Sequence, residues 1–122
     1  MKYLISIYGN AELWSSIPAD EMAEIVSATD AHNRSLFESG ELLFACGVAD
    51  QEEAKRVRFE AGAPVVTDGP YIETKEYLGS FYIVDVDSEE RALQIAAEMP
   101  SARFRDIEVK LISHGGTSDD LP

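Results

Sequence analysis

The chain predicts an α+β domain built on one antiparallel sheet, and three observations carry that reading. Four short apolar runs, Tyr3–Tyr8, Leu42–Val48, Gly79–Val86 and Asp106–Ile112, have the composition and alternation of strands. Two segments, opening at Pro18 and at Asp87, carry helix-start signals and helical periodicity. With a hairpin between the second and third runs set aside, the order is strand-helix-strand-strand-helix-strand, the ferredoxin-like split βαβ pattern.

Each element has a local reason. Tyr3–Tyr8 is apolar or aromatic on both faces and reads as a buried central strand. A short loop holding Trp14 leads to Pro18, whose missing N–H is harmless at a first helical turn. Asp20, Glu21 and Glu24 follow where the helix dipole favours negative charge. Met22, Ile25, Val26, Leu36 and Phe37 share one helical face, and Gly40 is the natural stop. Leu42–Val48 is the second strand. Residues 54–59 and 64–67 flank Ala61-Gly62-Ala63 as an inserted β-hairpin. Gly79–Val86 is the strongest strand, with Phe81 and Ile83 on one face and Tyr82, Val84 and Val86 on the other. Asp87 and Glu90 have the spacing of a capping box for a helix ending near Met99-Pro100. The last strand shows Glu108 and Lys110 on one face, as suits an edge. Residues 1–112 thus form one domain, and 113–122 are a tail of linker-like composition.

Two helices cover only one face of such a sheet. Because Tyr3–Tyr8 and Gly79–Val86 are apolar on both faces, a second copy of the sheet is the simplest cover, and a homodimer is expected.

Charge narrows the partners. The 122 residues include 23 acids against 10 bases, a net charge of −13. Such a surface repels phosphate backbones, so no nucleic acid is expected. No run approaches the roughly 20 apolar residues of a membrane helix, and no signal peptide is visible, so a cytoplasmic protein with no membrane partner is expected. One cysteine, Cys46, cannot form an internal disulfide and reads as a small buried hydrophobe. The two histidines, His32 and His114, lie far apart, no Cys or His pair has ligand spacing, and no calcium-loop pattern occurs. Glycine-rich nucleotide motifs and a nucleophile elbow are missing too, so no metal and no cofactor is expected.

The chemistry concentrates in residues 67–76. Asp68-Gly69-Pro70 is turn chemistry: the Asp carboxylate accepts a backbone N–H, Gly tolerates special dihedrals, and Pro fixes φ. Behind the turn come Tyr71, Glu73, Thr74, Lys75 and Glu76. As a solvated loop these residues keep a strand edge soluble. As a site, Asp68 would be the proton-transferring residue, with Tyr71, Glu73 and Lys75 as ligand contacts. His32 on the first helix and Tyr82 on the strongest strand are the remaining candidate contacts. Taking Met22 as zero at 100° per residue, Thr29 and Asn33 fall within about 20° of the centre of the apolar stripe and His32 at its edge. Polar groups on a packed face need partners or water, so this stretch either bonds to its own helix or borders a cavity.

The Asp68-Gly69-Pro70-Tyr71 segment, followed by Glu73-Thr74-Lys75-Glu76 and Leu78-Gly79, resembles the signature of the YCII-related family, in the subgroup named for an Asp-Gly-Pro-Phe motif. The opening Met1–Leu4 to Tyr8-Gly9, the Pro18–Gly40 helix, and Ala92-Leu93 to Ala96-Ala97 before Pro100 share its layout, so the resemblance covers residues 1–112. Tyr71 stands in place of the name-giving Phe. The helix position where some members carry a His proposed to pair with an Asp falls on Thr29 rather than His32, so no catalytic histidine carries over. The resemblance implies a dimeric α+β barrel.

Two functions stay open at this stage. One is a cofactor-independent isomerase or lyase, using acid–base chemistry on a small organic molecule held between sheet, helix and the 68–76 loop. The other is a non-catalytic accessory or regulatory module, since the subgroup is often encoded beside extracytoplasmic-function sigma factors.

Overall fold

The computed structural model describes residues 1–68 and 76–115. Its elements are β1 (Lys2–Gly9), α1 (Ala11–Ser15), α2 (Ala19–Ser39), β2 (Leu42–Gly47), β3 (Lys55–Glu60), β4 (Ala63–Asp68), β5 (Tyr77–Asp85), α3 (Glu89–Glu98) and β6 (Ile107–Leu111). Four strands form one sheet in the order β2-β5-β1-β6, with every neighbouring pair antiparallel. The two strands that are apolar on both faces are therefore the central ones, and the charged β6 lies at an edge. This is the α+β arrangement expected from the element order.

Register decides what each face carries, because residues paired across strands point the same way. Tyr3 and Ile5 pair with Val84 and Tyr82, and on the other side with Leu111 and Val109. That face is covered by the helices: Tyr3, Ile5, Ile7, Tyr82 and Val84 are buried together with Leu36 of α2 and Ala92, Ile95 and Ala96 of α3. Ile5, Val84 and Ile95 are fully enclosed and form its centre.

The opposite face carries Leu4 and Ser6, paired with Ile83 and Phe81, and Phe44 and Cys46 paired with the same two residues. Phe44 is 49% exposed there, its ring 5.9 Å from that of Phe81. Glu108 and Lys110 lie on this face as well, joined by a 3.5 Å ion pair. Cys46 is half-buried rather than enclosed, because its face of the sheet has no helix over it.

Three local expectations need correction. Trp14 sits in a short helix, not a loop, because the Asn10 Oδ1 accepts the Leu13 N–H at 2.7 Å and starts a turn. The α3 cap is Ser88, not Asp87: its Oγ accepts the Arg91 N–H at 3.1 Å, so the Asp87–Glu90 box does not form. The apolar stripe of α2 is wider than the surface it covers. Leu36 is buried, whereas Val26 and Phe37 remain 52% and 50% exposed. α2 stops where expected, with Gly40 at φ 82° and its N–H directed to the Leu36 and Phe37 carbonyls.

Among the described residues, β3 and β4 pair only with each other, as a separate two-stranded sheet. Ala61 and Gly62 at its tip both have positive φ, 50° and 82°, the backbone that lets a two-residue turn follow the strand twist. Glu41, at the entry to β2, holds α3 in place through a two-pronged ion pair: Arg91 Nε donates to one carboxylate oxygen at 2.7 Å and Nη2 to the other at 2.8 Å.

Candidate functional site

Polar groups inside the helix-covered half of the molecule mark the candidate site. Tyr82 rises from the middle of β5 toward α2 and is 5% exposed. Burial pushes its phenol up from the ordinary value, Asn33 offsets part of that rise, and the Asp30 carboxylate adds to it. A phenol so placed keeps its proton at neutral pH and can offer it in a hydrogen bond. Asn33 faces this hydroxyl, yet its own Oδ1 is buried without a hydrogen-bond partner among the described residues. The adjacent His32 repeats the pattern, with a buried Nε2 that has no hydrogen-bond partner and stands 3.9 Å from Glu98 Oε2. Helical phase explains why three successive polar positions turn inward: Thr29, His32 and Asn33 lie three and four residues apart, all on the half-buried side of α2.

A cleft of about 550 Å³ opens beside His32, between α2 and the end of α3; Asn33 and Tyr82 do not line it. Ile25, Met99 and Phe104 supply apolar wall, Glu21, Glu24, Glu98 and Arg103 supply charge, and His32 reaches into it. The arrangement couples a solvent-facing acidic cleft to an imidazole, and the neighbouring residue on the same helix to a buried phenol. Donors and acceptors without partners, set in apolar walls, are what a small organic ligand needs for orientation. Among the described residues, no group of three or more His, Cys, Asp or Glu side chains could hold a metal ion.

The sequence-predicted residues divide. His32 and Tyr82 both belong to this helix-covered side. Asp68 is elsewhere: it ends β4, its side chain is 85% exposed, and it pairs with Lys55 across the hairpin. Tyr71, Glu73 and Lys75 lie outside the described residues. Asn33, which the helical phase placed at the centre of the stripe, belongs with Tyr82.

Two further side chains were not foreseen from the sequence. The Arg105 guanidinium lies over the Trp14 ring, 4.5 Å from its centroid. Its Nε, Nη1 and Nη2 are all buried without a hydrogen-bond partner among the described residues. The pair packs against the backbone where β1 ends and β5 begins. A methyl at Gly9 would fall 2.5 Å from Arg105 Nη1 and 2.7 Å from the indole, so only glycine fits there. Trp14 and Arg105 are far apart along the chain and carry no shared motif; only the fold joins them.

Comparison with known proteins agrees with this architecture. The sequence model of the YCII-related domain matches residues 1–113. An uncharacterised protein of Rhizobium meliloti is 30% identical over 102 residues, which span 84% of this chain and 82% of that one. Among solved structures, 5-chloro-2-hydroxyhydroquinone dehydrochlorinase of Burkholderia phenoliruptrix, in complex with 2,5-dihydroxybenzoquinone, superimposes with a TM-score of 0.55. That match covers 94% of this chain and 96% of the other at 16% identity, a likeness of fold. No helix among the described residues is long and apolar enough to cross a membrane.

Proposed function

The chain belongs to the YCII-related domain family, and from that premise we propose that it binds a small organic molecule between α2, the sheet and the 68–76 loop, and acts on it by proton transfer without a cofactor. The observation that carries this reading is the row of polar groups on one side of the core: a protonated, buried Tyr82, and an Asn33 Oδ1 and a His32 Nε2 that have no hydrogen-bond partner among the described residues. Native interiors leave few such atoms unpaired, because each costs about 1–3 kcal/mol when desolvated. A ligand that supplies the missing partners explains why they are kept.

In the proposed chemistry, the Tyr82 hydroxyl donates a proton to an oxygen or carbon of the substrate as charge develops there. His32 takes or relays a proton on the cleft side, and Asn33 orients the ligand through its amide. Tyr71, Glu73 and Lys75 are proposed as contacts from the loop. Asp68, exposed and paired with Lys55, is proposed to steady the entrance to that loop, and the acid–base role first considered for it passes to Tyr82 and His32.

The same reading includes a homodimer. The uncovered sheet face presents Phe44, Phe81, Ile83 and Leu4, and the hairpin presents Val57, Phe59 and Val66 at 66%, 75% and 63% exposure. Apolar area of this kind is what a second copy would cover to form a barrel from two sheets.

The test is a ligand screen by thermal shift, followed by turnover assays on each hit. The related fold that holds a dihydroxybenzoquinone motivates hydroxylated aromatics and quinones in the panel. The expected result is a hit that stabilises the wild type, and is turned over about 10²–10⁴-fold more slowly by Tyr82→Phe. Hits that bind Tyr82→Phe and Asn33→Leu as tightly as the wild type would contradict the site. A hit bound at the site but recovered unchanged would favour the accessory-module reading over the enzyme.

A further inference from the structure

Among the described residues, Arg105 has no ion-pair partner. Arginine keeps its proton at any accessible pH, so burial cannot be relieved by neutralisation. All three of its guanidinium nitrogens are nonetheless buried with no hydrogen-bond partner among the described residues. The acid whose field reaches it, Glu76, is exposed and makes no ion pair with it. Guanidinium N–H groups removed from water and left unpaired are destabilising unless something completes them.

The surroundings say what would complete it. Trp14 lies on one side of the guanidinium, its ring centroid 4.5 Å from the guanidinium carbon, and the N–H edge has no hydrogen-bond partner among the described residues. That edge is a fork of N–H donors matched to two oxygens about as far apart as those of a carboxylate. The glycine at position 9 is what admits both side chains to the sheet, since a Cβ there would overlap both. The location is suited to a ligand rather than to a structural ion pair. A Cβ at Gly79 would stand 3.5 Å from the Trp14 indole, so Trp14 lies over the start of β5, and Gly79 precedes Tyr82 by three residues, about 10 Å along the strand. That is the span of a single ring with a substituent at each end.

The geometry points to Arg105 and Trp14 as an anion clamp for the carboxylate of the small-molecule ligand. The inference rests on the small-molecule reading above and adds the class of molecule: a compact, ring-sized carboxylic acid. One end is fixed by the Arg105 fork beside the indole, and the body extends toward Tyr82. The net charge of −13 makes such a site selective. Away from this clamp the acidic surface repels anions, so an acid gains its binding from one place.

The experiment titrates the purified protein with benzoate and cyclohexanecarboxylate, with their neutral carboxamides, and with inorganic phosphate. Affinity is read by calorimetry. Trp14 is the single tryptophan, so its emission reports the clamp without labelling. The expected result is saturable carboxylate binding that shifts Trp14 emission, at least about tenfold tighter than the matching carboxamide, as charge-assisted bonds allow. Arg105→Gln should abolish that ratio while leaving a cooperative melt, and Arg105→Lys should retain part of it. Equal affinity for carboxylate and carboxamide would overturn the anion clamp while leaving a small-molecule site in place. A preference that survives in Arg105→Gln would overturn it too. So would wild-type protein that binds none of the carboxylates. Phosphate binding as tightly as benzoate would replace the ring-sized acid with a simple anion site, and so contradict the proposal.

Discussion

Replacing Gly9 with alanine is a direct probe of how tightly the Trp14–Arg105 pair is set against the sheet. The backbone at Gly9 has an ordinary φ, so the substitution acts through space alone. The new methyl would stand 2.5 Å from Arg105 Nη1 and 2.7 and 2.9 Å from two indole carbons. Reaching ordinary contact near 3.4 Å requires displacements of up to about 0.9 Å in side chains that are already packed, and overpacking of this kind costs about 1–3 kcal/mol. Gly79→Ala is the internal control, because its methyl would meet the same indole at an unstrained 3.5 Å. The assay is chemical denaturation followed by circular dichroism, with Trp14 emission recorded in the folded baseline. Gly9→Ala should lose about 1–3 kcal/mol and change the emission, whereas Gly79→Ala should stay within about 0.5 kcal/mol of wild type. A Gly9→Ala protein with wild-type stability and emission would show that Trp14 and Arg105 are not held where the structure puts them.

Other expectations concern charge and assembly. Arg91 beside Glu41 holds that carboxyl below its usual range. The unfolded chain therefore binds this proton more readily than the folded one. The pair's stabilisation is complete above the ordinary carboxylate pKa and is lost as pH falls through the lower folded value. With a quarter to a third of each side chain exposed, Glu41→Gln should cost about 1–2 kcal/mol at neutral pH and flatten the acid limb of the stability profile; an unchanged acid limb would contradict this. Asp68→Asn should change stability by less than about 1 kcal/mol, since its ion pair with Lys55 is exposed, and a larger loss in denaturant melts would give the carboxylate a bigger structural part. Phe44→Asp, on the uncovered sheet face, should convert a dimer of roughly 27 kDa in light scattering to a 13.4 kDa monomer. A wild type that is already monomeric at micromolar concentration would remove the two-sheet barrel from the account.

Much of the fold was legible because hydrophobic period and turn chemistry act locally. β1 and β5 announced themselves as central by being apolar on both faces, and the left-handed Gly40 stopped α2 where the pattern ended. The errors are local competitions. Asn10 and Ser88 each captured a backbone N–H that the pattern had left to a loop or to Asp87. Part of the candidate site was legible. Helical phase turned Thr29, His32 and Asn33 toward the interior, and Tyr82 lies on the helix-facing side of β5. Arg105 was invisible for a physical reason. A charged residue just before an edge strand reads as solvated, and what lies over this one is an indole from the start of the chain, brought near by the pairing of β1 with β6.

The central claim is that a small molecule is held on the helix-covered side of the sheet by the polar groups around Tyr82. Amide chemical-shift mapping with a hit from the thermal-shift screen tests it most directly, because it locates the ligand whatever the reaction. The account predicts saturable shifts concentrated at Thr29–Asn33 of α2 and Ser80–Tyr82 of β5, weakened by Asn33→Leu. Shifts confined to the Phe44–Phe81 face of the sheet or to the hairpin, with α2 and β5 unmoved and Asn33→Leu without effect, would contradict it.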